Sequence, residues 1–366
     1  MEFYYILFFI TVSVSFLSLT NLSHEKKNLA FFSLIILYIF LSATRWNNPD
    51  WIVYYPFFED NFTLDQFTSG QIDPGFGVVN WLVKSVMPDF SALLTVLAIV
   101  IIGIFALFMY KFSPYPLISL LYWFGTYTGE IFFNRQSLAI AITLLAFPFI
   151  VRRKMIPFVL ITILAATIQV SVIGFLLAYP IYHLKFKGRY LILILVAGIV
   201  IGQFLDIKLM LTVASLVQII DINQERLLDK IDLYYMSGAS AEEEAGMLIS
   251  SVRRLIFVPI EIFFIEKISK NNPYYRGCVN LTLFGYSLFF LLKNVSPTVA
   301  TRVSSPFYMY EIIVIPMIFT LARNFWVKIL FFVVIAVYSF AKYIYGINLY
   351  EDILVPYTNV LFGDIQ

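Results

Sequence analysis

The sequence predicts an all-α polytopic membrane protein. Of its 366 residues, 60% are hydrophobic and only 13% are charged, and the mean hydropathy is +0.85. Soluble domains carry about 25% charged residues, and exposed surface as apolar as this chain requires would aggregate. Because the apolar runs recur along the whole chain, they indicate an integral membrane protein rather than a soluble domain with one anchor.

Twelve apolar stretches reach, or nearly reach, the length needed to cross about 30 Å of hydrocarbon. The sixth and seventh are short, so two crossings or one re-entrant hairpin both fit them. The stretches run approximately over residues 3–20, 28–43, 91–110, 114–129, 137–151, 155–168, 170–183, 190–206, 250–266, 277–292, 306–322 and 328–345. No repeat, linker or low-complexity tract divides the chain, so we expect a single integral membrane domain over residues 1–366.

Basic residues are unevenly distributed among the connections between these stretches. Fourteen of the 25 Lys and Arg residues fall in six short connections, from Lys26 and Lys27 to Arg323 and Lys328. The positive-inside rule puts these connections in the cytoplasm. Both termini and the two long loops, 44–90 and 207–249, are therefore predicted to face outward.

The two outward loops contain segments with helical patterning. In "WIVYYPFF" and Phe62, aromatic residues at helical spacing predict a helix lying in the membrane interface. They are Trp51, Tyr54, Tyr55, Phe58 and Phe62. The segment "GVVNWLVKSVM", after the turn "DPGF", is interpreted in the same way, and "QERLLDKIDLYYM" predicts an amphipathic helix in the second loop.

Three arginines are predicted at the outer ends of membrane helices. Arg135 lies in "FFNRQSLAIAI", where a guanidinium at the centre of a span would cost about 3 kcal/mol and so needs a partner or a task. Arg45 ends the second stretch, and Arg302 precedes the eleventh. Each alone is compatible with snorkelling to lipid phosphates. Small polar neighbours favour a shared anion site instead, since the planar guanidinium binds two phosphate oxygens. These neighbours are Asn47, Asn48, Asn134, Gln136, Ser304 and Ser305.

Carboxylates accompany the arginines on the predicted outer side. Asp50, Asp73 and Glu130 are each candidates for a salt-bridge partner or for a general base, and Glu130 lies five residues before Arg135. The two histidines, His24 and His183, both fall in predicted cytoplasmic connections. A base at the outer face is therefore a carboxylate, or there is none.

The sequence contains no motif of several other functional classes. There is one cysteine, Cys278, so no thiolate metal site is expected. Zinc-protease, nucleophile-elbow and P-loop motifs are absent, as is a D-x-D pair for a metal-bound nucleotide sugar. No basic patch with interleaved aromatic residues indicates nucleic acid. We expect no metal, no other cofactor and no ATP.

The spacing Arg45-x4-Asp50-x3-Tyr54-x3-Phe58, "DPGF" at 73–76, "NRQSLAIAI" from residue 134 and "TRVSSPF" from residue 301 resembles the EpsG-like branch of the Wzy-type polysaccharide polymerases. The resemblance runs from about residue 40 to 310. It implies a polymerase of undecaprenyl-diphosphate-linked oligosaccharide repeats at the outer face of the bacterial inner membrane, making O-antigen or exopolysaccharide. It also implies a fold like that of the lipid-linked, GT-C-like glycosyltransferases.

The resemblance carries site residues with it. Arg45, Asp50, Asp73, Arg135 and Arg302 match the family pattern. We expect Asp50, Asp73 and Arg135 to be catalytic and the three arginines to bind the diphosphate. The supporting residues are Tyr54, Glu130, Asn134, Gln136 and Gln169. At the last of these the chain departs from the family, which often has a histidine two residues before a serine; glutamine cannot take a proton.

A polymerase of this kind would act on lipid-linked oligosaccharide among membrane lipids, with a chain-length regulator and a flippase of the same pathway as candidate partners. Three other functions remain open: a flippase or transporter, a ligase that moves finished glycan to an acceptor, and a scaffold. Many transporters have internal repeats and charges at the bilayer midplane, and neither is evident here. A ligase would need nearly identical chemistry, whereas a scaffold gives no reason for the three arginines.

Overall fold

A computed structural model describes residues 1–46, 50–70, 72–127, 135–205, 251, 254 and 257–361. The described residues are predominantly helical and contain no β-strand, only one isolated antiparallel bridge between Arg45 and Asn359. The predicted all-α class is thus confirmed, and several of the helices are apolar enough for a membrane protein.

The helices follow one another as α1 (Glu2–Phe16), α2 (His24–Thr44), α3 (Trp51–Asp60), α4 (Leu64–Thr68), α5 (Pro74–Val86), α6 (Phe90–Phe112), α7 (Pro116–Thr126), α8 (Arg135–Val151), α9 (Met155–Ile168), α10 (Ala178–His183), α11 (Gly188–Gly202), α12 (Ile265–Ser269), α13 (Tyr275–Leu292), α14 (Pro297–Tyr308), α15 (Glu311–Ile318), α16 (Phe325–Asn348) and α17 (Glu351–Leu354). Short 3-10 helices cover Leu17–Leu19, Val170–Leu177 and Phe319–Leu321, and residues 257–263 are also helical.

The chain divides into two compact units. The first comprises Met1–Tyr179 and Glu311–Gln366, and the second comprises Pro180–Tyr310. The boundary falls between α14 and α15, two helices that together pass the length and hydropathy test for a broken span. That residues 1–366 act as one membrane domain stays a prediction.

The number of membrane crossings differs from the sequence expectation. Within the described residues, four segments are long and apolar enough to span a membrane: Glu2–Leu19, His24–Thr44, Phe90–Phe112 and Phe325–Asn348. The α14–α15 pair makes a fifth if it is counted as one span. Helices α8, α9 and α11 have 17, 14 and 15 residues, which is about 21–25 Å at 1.5 Å per residue. Twelve crossings are therefore not confirmed.

In the first unit, helices α2 and α6 run antiparallel to each other, and so do helices α1 and α7. Asn28, near the start of α2, donates to the Tyr110 hydroxyl near the end of α6 over 3.2 Å. Ser15, near the end of α1, donates to the Leu117 carbonyl at the start of α7 over 2.9 Å. At the opposite end the Tyr4 hydroxyl donates to the Leu354 carbonyl over 2.6 Å. We call this second end, where α2 and α7 finish and α1, α6 and α8 begin, the Arg45 end.

A helix, α3, is present where the sequence predicted one after the second stretch, and that it lies in the membrane interface stays a prediction. Helix α3 buries Tyr54, Phe57 and Phe58, whereas Phe62 lies beyond the helix and is 70% exposed. The rings of Tyr54 and Phe76 are 5.4 Å apart, and Phe58 lies 5.6 Å from Phe90. The buried face therefore packs on α5 and α6, because ring-to-ring contacts within the protein are available to it.

Two further loop segments were predicted to form helices. The segment after "DPGF" forms α5, with Pro74 at its first position, where the missing N–H is not needed. The segment of the second loop, 207–249, lies outside the described residues.

The sixth and seventh stretches form an antiparallel hairpin that turns at Gln169. Phe158 of α9 contacts Phe175 in the 3-10 helix Val170–Leu177 and Tyr179 just after it.

Small residues allow close helix contacts in each unit. In the second unit, a Cβ on Gly198 would meet the Ser287 backbone at 2.7 Å, and one on Gly285 would meet Phe307 at 2.8 Å. In the first unit, a Cβ on Gly125 of α7 would lie 2.7 Å from the Ser339 carbonyl oxygen of α16. Such close backbone approach is characteristic of packed membrane helices.

We expect Gly125→Ala to destabilise the first unit by about 1–3 kcal/mol, because α7 and α16 must separate to admit the methyl group. The measurement is the thermal unfolding midpoint of the purified protein in detergent. Gly103→Ala is the matched control, since nothing lies within 4 Å of a Cβ at this position of α6; it should leave the midpoint unchanged or raise it. Equal midpoints for the two variants would contradict the close contact.

Candidate functional site

The structure brings together Asp73 and Arg135, two of the residues predicted to be catalytic. Arg135 is the first residue of α8, and Asp73 is the N-cap of α5. Arg135 Nη1 lies 3.4 Å from Asp73 Oδ2, and the side chains are 19% and 23% exposed. The Asp73 side chain makes no capping hydrogen bond. The charge of Arg135 therefore has a partner close to the protein surface.

The guanidinium of Arg135 retains binding capacity. The 3.4 Å between Arg135 Nη1 and Asp73 Oδ2 exceeds the length of about 2.7–2.9 Å that a strong charge-assisted hydrogen bond has. Its Nε is buried and has no hydrogen-bond partner among the described residues. A buried donor left in this state is unfavourable, so an anion that accepts from both nitrogens would be well matched. The positive end of the α8 dipole, at the same residue, adds to the attraction.

Close packing fixes the N-terminus of α5 against α9. A Cβ on Gly75 would overlap the Thr167 side chain, so only glycine fits between Pro74 and Phe76. Gln169 follows two residues after Thr167; it is 5% exposed, and its Nε2 donates to Ser171 Oγ over 3.4 Å. The predicted supporting residue Gln169 therefore lies at the hairpin turn beside the start of α5.

Arg45 is covered by the C-terminal segment, residues 351–361. The residue is only 1% exposed and forms the bridge with Asn359. Two backbone hydrogen bonds flank it: Trp46 N–H donates to the Thr358 carbonyl over 3.0 Å, and Val360 N–H donates to the Thr44 carbonyl over 2.8 Å. The sequence placed Arg45 at the membrane surface, and its burial follows from this pairing of chain segments more than 300 residues apart.

Tyr357 anchors the C-terminal segment over Arg45. Its hydroxyl donates to the Leu41 carbonyl over 2.8 Å, and its ring stacks on Phe3 at 4.2 Å. Burial lowers the pKa of Arg45 to about 10, and nearby Tyr357, Tyr4 and Asp50 oppose this shift. Arg45 therefore remains cationic at neutral pH. Its assignment as a diphosphate ligand stays a prediction.

Asp50 and Tyr54 connect the two arginines. Asp50 is the N-cap of α3, is half-buried, and acts electrostatically on Arg45. Tyr54, one turn later, is buried against Phe76 of α5. Because Phe76 is three residues after Asp73, the first turns of α3 and α5 are adjacent. The predicted residues Arg45, Asp50, Tyr54, Asp73 and Arg135 are therefore all located at the Arg45 end of the first unit.

The other predicted residues are placed as follows. Arg302 lies in the second unit, half-exposed and inside α14, which starts at Pro297 and not after Arg302 as the sequence suggested. The helix begins early because Ser296 accepts from the Val299 N–H and caps it. Gln136 is half-buried in the first turn of α8. Glu130 and Asn134 lie outside the described residues, as do Asn47 and Asn48. That Arg302 joins the other arginines stays a prediction.

Sequence reasoning missed a buried carboxylate, Glu311. It is fully buried at the first residue of α15, where Oε2 accepts a 2.9 Å hydrogen bond from the Tyr127 hydroxyl at the end of α7. Glu311 is the only charged residue in the predicted span 306–322. An ionisable side chain inside an apolar stretch marks a functional or structural polar contact, so the signal was available in the sequence.

A second missed residue is Arg254, in the second unit. Its guanidinium lies 3.4 Å from the centre of the Phe289 ring, with Tyr286 and Tyr308 at 5.5 and 5.3 Å. The side chain is 2% exposed, so these three rings provide cation–π stabilisation in a desolvated environment. The signal in the sequence was again an arginine at the edge of an apolar run, in "SSVRRLIF".

Histidine and metal ligands are distributed as follows. His24 begins α2, at the opposite end of that helix from Arg45, as the sequence predicted. Cys278 is buried in α13. Among the described residues, no three His, Cys, Asp or Glu side chains come together in a group able to hold a metal ion.

A sequence model described as the EpsG family matches residues 28–359. The chain belongs to the EpsG family. No curated protein and no solved structure gives a significant match. The match includes both partners of the Arg135–Asp73 pair and ends at Asn359, the residue that bridges to Arg45. The C-terminal segment that covers Arg45, residues 351–361, therefore lies largely within the part of the chain that matches the EpsG family.

Membership of the EpsG family confirms the resemblance found in the motifs. It indicates a role of polysaccharide-polymerase type in polysaccharide biosynthesis. Together with the apolar helices, it also indicates that this EpsG-family protein resides in a membrane.

We expect Tyr357→Ala to lower the stability of the first unit by about 2 kcal/mol or more, because the hydrogen bond to Leu41 and the stacking on Phe3 are both lost. Thermal unfolding in detergent measures the change. Leu361→Ala is the control, since Leu361 follows in the same segment and is 60% exposed. A midpoint for Tyr357→Ala that equals the control's would show that the C-terminal segment is not held over Arg45.

Proposed function

We propose that this EpsG-family protein is a metal- and ATP-independent glycosyltransferase that polymerises undecaprenyl-diphosphate-linked oligosaccharide repeats into O-antigen or exopolysaccharide. The reaction takes place at the outer face of the bacterial inner membrane. The observation that carries the proposal is the Arg135–Asp73 pair at the N-terminus of α8, in which the Arg135 Nε has no hydrogen-bond partner in the described part of the chain. Family membership supports a polysaccharide-polymerase type of role.

The proposed reaction transfers the growing glycan to a new repeat. A hydroxyl oxygen of the acceptor repeat attacks the anomeric carbon of the donor, and the bond from that carbon to the diphosphate oxygen breaks. Undecaprenyl diphosphate leaves with the bonding electron pair. Negative charge therefore grows on the diphosphate in the transition state, where Arg135 and the α8 N-terminus stabilise it more than in the ground state.

Asp73 is the proposed base, with Asp50 as the alternative. The carboxylate of Asp73 faces Arg135. A bound diphosphate competes for the same guanidinium and frees the carboxylate, which then accepts the proton of the attacking hydroxyl. Such proton transfer contributes roughly 10²–10⁴-fold to a rate. The activated lipid donor supplies the energy of the reaction.

The proposed orientation has support within the first unit. Tyr4, near the N-terminus, bonds to Leu354, near the C-terminus, so the two chain ends lie on the same side, as predicted for two outward-facing termini. Arg45, Asp50 and Asp73 lie at this side as well. A chain-length regulator and a flippase of the same pathway are the proposed protein partners, and both substrates reach the site from the membrane lipids.

We expect a strain lacking this protein to carry acceptors capped with a single repeat and no long chains, because flipping and ligation continue while polymerisation stops. Electrophoretic profiling of surface and lipid-linked glycan measures this. Full-length chains stranded on the lipid carrier at the outer face would instead indicate a ligase. Single repeats trapped on the inner leaflet would indicate a flippase.

Within that strain, we expect Arg135→Ala to abolish polymerisation while the protein inserts at normal levels. Arg135→Lys should also be badly impaired, because a point charge does not bind two phosphate oxygens in one plane. Glycan length profiles and membrane protein levels are measured together. Arg152→Ala is the control, an exposed arginine just beyond the other end of α8. Long glycan made by Arg135→Ala would overturn the diphosphate-binding role.

A further inference from the structure

A cavity of about 260 Å³ opens beside α3 in the first unit. It is lined by Val53, Pro56, Phe57, Asp60, Asn61 and Ile72. Its volume is close to the lower end, about 300 Å³, of pockets that bind small molecules. Neither the motifs nor the family assignment gives this cavity a role.

The cavity has two chemically different sides. Val53, Phe57 and Ile72 make an apolar wall, and Asp60 and Asn61 supply oxygen atoms. Asn61 Nδ2 donates to the Phe57 carbonyl over 2.7 Å, which fixes the amide and leaves its Oδ1 as an acceptor. A ligand suited to this arrangement has hydroxyl donors on one face and C–H groups on the other, as a sugar ring does. The carboxylate of Asp60 disfavours acidic sugars.

The wall of the cavity is held in place before any ligand binds. The Phe57 ring packs edge-on against Phe67 at 5.4 Å. The Lys84 ammonium donates to the carbonyls of Phe58 and Glu59 over 2.6 and 2.7 Å, closing the C-terminal turn of α3 just before Asp60. Pre-organisation of this kind favours specific binding, because little conformational freedom is lost when the ligand enters.

The cavity adjoins the proposed reaction centre. Ile72, one of its walls, immediately precedes Asp73, whose carboxylate faces Arg135. The cavity therefore lies one residue along the chain from the carboxylate that faces Arg135. The sugar bonded to a diphosphate at Arg135 is the part of the substrate best placed to reach it.

We propose that this cavity is a subsite for the sugar attached to the diphosphate of the donor, an uncharged or amino sugar whose hydroxyl groups donate to Asp60 and Asn61. The inference rests on the proposed function and adds a determinant of substrate choice. Asp60 and Asn61 bind the ring, and Arg135 and Asp73 act on the bonds that change.

The test uses the full-length protein in proteoliposomes with the lipid-linked repeat extracted from the deletion strain as the probe. The polymerisation rate is measured against probe concentration. Asp60→Ala should raise KM about tenfold with little change in kcat, since one hydrogen bond to a charged group is lost. Val53→Trp should raise KM as well by filling the cavity, and Val53 is exposed, so its replacement leaves the core intact.

Asp65→Ala is the matched control, an exposed carboxylate on the neighbouring helix α4 that does not line the cavity. Its KM should equal that of the unaltered protein. If the unaltered protein is active and both Asp60→Ala and Val53→Trp have the same KM as it, the subsite is overturned and the proposed function is not. Failure of the unaltered protein to polymerise the extracted repeat would overturn the proposed function and, with it, the subsite.

Discussion

A guanidinium at the end of a membrane helix must be paired or solvated, and the first unit is arranged around this requirement. Arg135 meets it through Asp73, which is brought to it by the close packing of α5 on α9. Arg45 meets it in a different way, with Asp50 acting on its charge and the C-terminal segment covering it. In both cases the charge is held by parts of the chain that are distant in sequence, so the polar end of this unit forms only when its helices have packed.

The two arginines consequently differ in what they can do. Arg45 is nearly inaccessible, and its contacts tie α2 to the last residues of the chain. Arg135 keeps a fifth of its side chain exposed, and its Nε has no hydrogen-bond partner in the ranges that the structure describes. The same residue type is therefore enclosed by other parts of the chain at one position and partly open to solvent at the other. Their connection through Asp50, Tyr54 and Phe76 makes helices α3 and α5 a structural part of the Arg45 end.

Under the proposed function, helix α3 also explains how a small number of charges would act selectively on a large substrate. Helix α3 turns its rings inward onto α5 and α6, which leaves its last turn and the residues after it free to form the wall of a cavity. A diphosphate is common to all lipid-linked repeats and is recognised by charge. The sugar beside it differs between pathways, and shape and hydroxyl contacts recognise it. In the proposed mechanism, Arg135 and Asp73 thus carry out activation, and the residues that line the cavity carry out selection.

The sequence by itself determined the all-α membrane class, the family and the candidate residues, since hydropathy, basic-residue distribution and short motifs are properties of local sequence. It also indicated helices α3 and α5. It did not determine which side of α3 is buried, the covering of Arg45 by residues near 359, or the partner of Arg135, for which Glu130 was the local candidate and Asp73 is the partner observed among the described residues. Nor did it find Glu311 with Tyr127. Only the tertiary structure decided these, because each depends on contacts between segments tens to hundreds of residues apart, and such contacts leave no periodic signal in either segment alone.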